Sequence, residues 1–192
     1  MINTLVNYRL RAGFTLMELL VSITIFLIIT AMVITNFRMG QYREELFGAA
    51  EAIVTSAREM QSQTIAGTLV DCPGILEKTA PKNGFGIHVD TDLLITGFGD
   101  CEDVFSLYGY DVDDDFTSTT QFTVSKNVEL VSVTPPGSPI ALDLVFSSLS
   151  EAVVVNGVIN PAPSVALGLR HKRTGKTVTV ILNPTTGRIY YE

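Results

Sequence analysis

The chain has no tryptophan, only two histidines and two cysteines among its 192 residues, and fewer basic than acidic side chains, 13 against 20. His88 and His171 are the only near-neutral bases. Neither belongs to a recognisable nucleophile or metal motif, and no phosphate-binding glycine loop is present, so the residues give catalysis and a bound cofactor little to work with. Cys72 and Cys101 are too few for a disulfide framework, and their spacing matches no zinc pattern. They leave open one disulfide or two reduced, half-buried thiols. In an oxidising compartment a bond between them would stabilise the fold by about 3 to 4 kcal/mol in the chain-entropy account. The shortage of base gives a net charge of -7. That balance disfavours nonspecific binding of nucleic acid or anionic membrane by the body of the protein.

Charge is scarcest in one stretch. From Phe14 to Phe37 every residue is apolar, Ser, Thr or Asn except Glu18, and at 1.5 Å per residue these 24 positions would cover about 36 Å of helix, enough to cross a bilayer core of about 30 Å. Arg9 and Arg11 stand just before it. By the positive-inside rule residues 1–13 stay cytoplasmic and the C-terminal part is exported. The run is too long for a secretory signal, and no small-x-small cleavage site follows it. Gly13 instead precedes the run, which suits a peptidase that cuts before the helix and leaves it on the mature protein. Loss of residues 1–13 would leave 11 basic against 20 acidic residues, a net of -9.

An isolated carboxylate inside a spanning helix costs about 2.5 to 3.5 kcal/mol and is usually functional, so Glu18 calls for a partner. A cut after Gly13 would create an amino group at Phe14, and a staggered neighbouring subunit would bring its own Phe14 amine to Glu18. A glutamate that snorkels to the headgroups is the plainer alternative.

The run Gly13-Phe14-Thr15-Leu16-Met17-Glu18-Leu19-Leu20 resembles the class III leader and processing site of type IV pilins and type II secretion pseudopilins. The resemblance implies cleavage between Gly13 and Phe14 by a prepilin peptidase, N-methylation of Phe14, and a role for Glu18 in subunit registration. It also implies partners: other pilin or pseudopilin subunits and an inner-membrane assembly platform. No proline interrupts Ile29–Thr35, where many major pilins carry one, which leans towards a minor subunit.

Past Arg38 the chain stays compatible with a helix. Met39, Tyr42, Leu46, Ala50, Ile53, Ala57 and Met60 recur in steps of three or four as an amphipathic stripe, and Gly67 is a natural stop. Beyond Gly67 short β-rich runs alternate with turn residues: Gly84–Asp90, Leu93–Phe98, Phe105–Tyr110, Gln121–Val124, Val128–Val133, Ile140–Phe146, Ala152–Val155, Ser164–Arg170, Thr177–Leu182 and Arg188–Tyr191. The expected organisation is a leader (1–13), a membrane helix (14–37), its amphipathic continuation (38–67) and an exported β-rich head (68–192). The fold class is α+β, a long helix followed by antiparallel β structure. The closing run, from Leu169-Arg170-His171-Lys172 through Val178-Thr179-Val180 to Asn183-Pro184-Thr185-Thr186-Gly187-Arg188-Ile189, is similar to the GspH/FimT-type minor pilin domain. With the N-terminal match it implies a minor subunit that initiates or caps a pseudopilus or pilus, with two sheets packed on the helix.

Two charged clusters remain. Between Asp90 and Asp115 lie nine acids and no base, ending in Asp111-Val112-Asp113-Asp114-Asp115. A calcium loop of the EF-hand type would need Gly at Phe116 and a bidentate Glu at Phe122, which favours a solvated acidic loop instead. Arg170, Lys172, Arg173, Lys176 and Arg188 gather near the C-terminus as a candidate polyanion patch, with DNA as the obvious ligand and a charged hairpin turn as the alternative. The FimT branch linked to DNA uptake would predict Gly-Arg-x-Arg, whereas the chain reads Gly187-Arg188-Ile189-Tyr190.

Overall fold

The computed structural model describes residues 14–101, 110, 115–134, 141–147, 153–156, 158–159 and 164–192. The expected strand at Phe105–Tyr110 falls almost wholly outside them. The chain divides into two compact units, residues 1–41 and 42–192. One helix, α1 (Leu16–Ala66), begins in the first and continues in the second.

In the first unit the helix carries the apolar run, and its large apolar side chains from Leu16 to Ile34 are exposed. Three hydroxyls within the run are satisfied internally. Ser22 donates to the Glu18 carbonyl at 2.7 Å, Thr24 to Leu20 at 2.9 Å and Thr30 to Phe26 at 2.8 Å. Each spends its hydrogen on a carbonyl one turn back, so none presents an unmet donor to an apolar surrounding.

In the second unit the stripe is buried at Leu46, Ala50, Ile53, Ala57 and Met60, joined by Ala49 and Val54. Tyr42 is half-buried at its edge. Met39, expected on the same stripe, belongs to the first unit and is exposed. The helix stops through a Schellman motif: Gly67 takes φ 61° while its N–H donates to the Thr64 carbonyl and that of Thr68 to Gln63, both at 3.2 Å.

Among the described residues ten strands follow in two antiparallel sheets. The first has the order β3-β2-β1-β5-β6-β7, from β1 (Gly84–Val89), β2 (Leu94–Asp100), β3 (Phe116–Thr123), β5 (Leu142–Phe146), β6 (Val153–Val155) and β7 (Val158–Ile159). The second has the order β10-β9-β8-β4, from β4 (Val128–Thr134), β8 (Val165–His171), β9 (Thr177–Asn183) and β10 (Arg188–Tyr191). This is the α+β, two-sheet arrangement of type IV pilins. Period-two alternation sends Phe85, Ile87 and Val89 of β1, Leu142, Leu144 and Phe146 of β5, and Val165, Leu167 and Leu169 of β8 into one core with the helix stripe.

The other face of the larger sheet carries a small second cluster of Phe98, Val145 and Val154 with Tyr110 packed on it. Phe98 fits because Gly86 lies beneath its ring. A Cβ on Gly86 would stand 2.5 Å from the Leu144 carbonyl oxygen and 2.9 Å from Phe98 Cζ.

Three elements differ from the sequence expectation. Strand β3 starts at Phe116 rather than Gln121, because Phe116 and Thr117 pair with Gly99 and Phe98 of β2, and the register shifts before pairing resumes at Gln121. The short β7 was not expected. Leu93 stands in the β1–β2 turn at φ 56° and is fully buried, so it ends the turn rather than beginning a strand.

Candidate functional site: the helix start and the turns around Glu45

Thr15 precedes the first helical residue, and its Oγ1 accepts the Glu18 backbone N–H at 3.2 Å. It is the N-cap, which places Glu18 at the third helical position, within the first turn where the helix dipole favours a carboxylate. Thr15-x-x-Glu18 before an apolar run is the sequence pattern of a capping box, a signal that gives Glu18 a local role beside any intermolecular one. Phe14 and Glu18 are both exposed. Gly13 lies outside the described residues.

The prokaryotic N-terminal methylation motif matches residues 8–34. The N-terminal segment is type IV pilin-like. That motif, with the long apolar helix that carries it, is consistent with a membrane-anchored pilin processed by a prepilin peptidase. No curated protein and no solved structure matches the chain.

Within the second unit, the first turn of the helix holds a polar hub absent from the sequence reading. His171 ends the inward row Val165, Leu167, Leu169 of β8 and is fully buried. Its Nδ1 accepts the backbone N–H of Arg173 at 3.2 Å and of Thr174 at 3.3 Å. The ring hydrogen therefore sits on Nε2, facing Glu45 Oε2 at 3.3 Å. The same carboxylate oxygen accepts Asn127 Nδ2 at 2.9 Å and Ser125 Oγ at 3.2 Å. Those hydrogen bonds, from Asn127 first and then His171 and Ser125, hold the Glu45 carboxyl below its ordinary pKa against the opposing effect of burial. Tyr42 packs on the His171 ring at 5.0 Å between centroids and accepts Arg173 Nη1 at 2.9 Å through its hydroxyl. Glu45 thus ties both the β3–β4 turn and the β8–β9 turn to the helix.

The five basic residues near the C-terminus do not form one cluster. Arg170 is engaged by Glu129, with Nε and Nη2 at 2.8 and 2.6 Å from one carboxylate oxygen. Lys172, Arg173 and Lys176 lie in the β8–β9 turn, where Lys172 Nζ reaches the Lys126 carbonyl at 3.0 Å. Arg188 pairs with Asn183 and Arg170 with Thr177, at opposite ends of β9, about 20 Å apart. Arg188 covers its own neighbour Tyr190, 5.4 Å from the ring centre.

Cys72 and Cys101 are joined as a disulfide with Cα atoms 5.8 Å apart, both buried, linking the segment after α1 to the residue following β2. Of the nine acids between 90 and 115, Glu102, Asp103, Asp111, Asp113 and Asp114 lie outside the described residues. Asp100 and Asp115 are buried rather than solvated. Asp100 accepts Asn83 Nδ2 at 2.9 Å and Asp115 accepts the Cys101 N–H at 3.2 Å, so the carboxylates brace the chain at the disulfide. Among the described residues no group of three His, Cys, Asp or Glu side chains is placed to hold a metal ion. His88 is a cross-strand partner, its Nδ1 at 2.6 Å from Asp143 Oδ1 between β1 and β5.

Proposed function

We propose that the chain is a minor subunit of a type II secretion pseudopilus or type IV pilus, cut between Gly13 and Phe14, methylated at Phe14, and held in the inner membrane by its apolar helix with the β-rich head exported. The observation that carries this reading is the methylation motif at residues 8–34 laid over the start of an exposed apolar helix. Thr15 and Glu18 both lie downstream of the cut, so the cap would persist in the mature protein. Glu18 would then face two demands. Its backbone N–H is met by Thr15, while its carboxylate is left for the Phe14 ammonium of a neighbouring subunit, which would remove two charges from lipid at once. The GspH/FimT-like closing run and the uninterrupted helix through Ile29–Thr35 support a minor, tip or initiating position.

Intact-mass analysis of the chain co-expressed in membranes with a prepilin peptidase tests the processing step. The expected species has 179 residues and begins at methylated Phe14; a mass that retains residues 1–13 overturns it. Glu18→Ala should insert normally and fail to enter filaments, and normal incorporation would remove Glu18 from subunit registration.

A further inference from the structure

We propose that the basic turn made by Lys126, Lys172, Arg173 and Lys176 rests on anionic phospholipid headgroups at the surface of the bilayer in which the 14–37 segment is anchored. The inference depends on the membrane-anchored reading above and adds to it a second, electrostatic contact made by the head.

Chain reach is the first support. Tyr42 follows Phe37, the end of the apolar run, by five residues, which span at most about 18 Å in any conformation. The basic turn is fastened to that point of the chain. Arg173 Nη1 donates to the Tyr42 hydroxyl at 2.9 Å, and Glu45 Oε2, three residues further on, holds Ser125 and Asn127 on either side of Lys126 and His171 just before Lys172. The Lys172 N–H donates to the Asn127 carbonyl at 2.7 Å, closing the two turns on each other. These cations therefore belong to the part of the head that the chain cannot carry far from the membrane surface.

Charge is the second. All four side chains are exposed, and they form a local excess of base in a chain whose overall balance is -7. The nearby charges leave most of that excess standing: Glu45 is engaged in internal hydrogen bonds, Glu129 is neutralised by Arg170, exposed Arg43 offsets exposed Glu44, and exposed Glu192, bonded to Thr179 at this end of β9, sets one negative charge against the four cations. Each Lys or Arg near an anionic lipid surface contributes about 1 kcal/mol, within a Debye length of about 8 Å. A planar lipid surface meets this end alone. A nucleic acid would need a continuous track, and Arg188 stands about 20 Å away along β9 while Arg170 is already paired.

The test uses the full chain in nanodiscs of phosphatidylcholine, with and without phosphatidylglycerol, and reads amine modification of each lysine by mass spectrometry. Anionic lipid should slow modification of Lys126, Lys172 and Lys176 roughly fivefold, the factor corresponding to about 1 kcal/mol, and high salt should restore it. Lys78 and Lys82, beyond the far end of α1, should not change. Lys172→Glu with Lys176→Glu should abolish the protection of Lys126. Equal modification in both bilayers overturns the proposal, as does protection by added DNA in phosphatidylcholine without protection by phosphatidylglycerol. Alkaline extraction of the chain from the bilayer would overturn the membrane anchor itself; firm insertion with unprotected lysines would overturn the lipid contact alone.

Discussion

His171 Nε2 stands 3.3 Å from Glu45 Oε2, and because the ring's other nitrogen accepts two backbone N–H groups, the bond runs from the buried imidazole to the carboxylate. The pair links residues 126 positions apart and joins the last residue of β8 to the helix. It closes the polar end of an otherwise apolar row, since a buried ring nitrogen without an acceptor would cost about 1 to 3 kcal/mol.

Glu45→Ala should therefore destabilise the full chain in detergent by about 1 to 3 kcal/mol in urea titrations, because it strands the buried His171 donor and releases Asn127 and Ser125 from the helix. Glu45→Gln keeps an acceptor and should cost less.

The same carboxyl predicts an acid dependence. Its pKa is depressed in the folded state, so its contribution is fully present above the ordinary glutamate value of about 4.3 and is lost as pH falls through the lower folded value. Asp90, depressed by the hydroxyl and backbone N–H of Thr91, acts in the same direction. Stability should decline below about pH 4, with a shallower decline in Glu45→Gln. Identical acid limbs for the two proteins would show that Glu45 is not depressed.

Replacing Cys72 and Cys101 together by serine opens a link across 29 residues and should lower stability by about 3 to 4 kcal/mol in the chain-entropy account. Both cysteines are spent in the bond, so thiol-reactive labelling of the wild-type chain should detect nothing, folded or unfolded, until a reductant is added.

Two positions with positive φ should both lose stability when substituted, for different reasons. Gly67→Ala meets no atom within 4 Å and should cost only the left-handed backbone penalty of about 1 to 2 kcal/mol. Leu93→Gly relieves such a penalty yet removes a fully buried side chain, a loss of about 2 to 5 kcal/mol, so packing wins and the variant should be less stable than wild type. Denaturant midpoints of the two variants check both signs.

Much of the fold was legible because its signals are local. The apolar run, the stripe from Leu46 to Met60 and the stop at Gly67 outline α1, and Thr177 to Leu182 shows its alternation openly. The start of β3 was not legible, since Phe116 and Thr117 join a strand only through their pairing with Gly99 and Phe98 of β2. The N-cap at Thr15 was readable from its place before the apolar run, whereas the hub at Glu45 was not: nothing near Glu45 in the chain names Asn127 or His171.

Sequence by itself determined the membrane-length helix, the processing motif and the order of most strands, because helix periodicity, strand alternation and a contiguous motif are written within a few residues of each other. Only the tertiary structure decided which charges stand together. It buried Asp100 and Asp115, paired Arg170 with Glu129, put Arg188 at the far end of β9 and gathered Lys126 with the β8–β9 turn beside Tyr42. Side-chain electrostatics depend on neighbours in space, and an antiparallel sheet brings together residues that lie tens of positions apart along the chain.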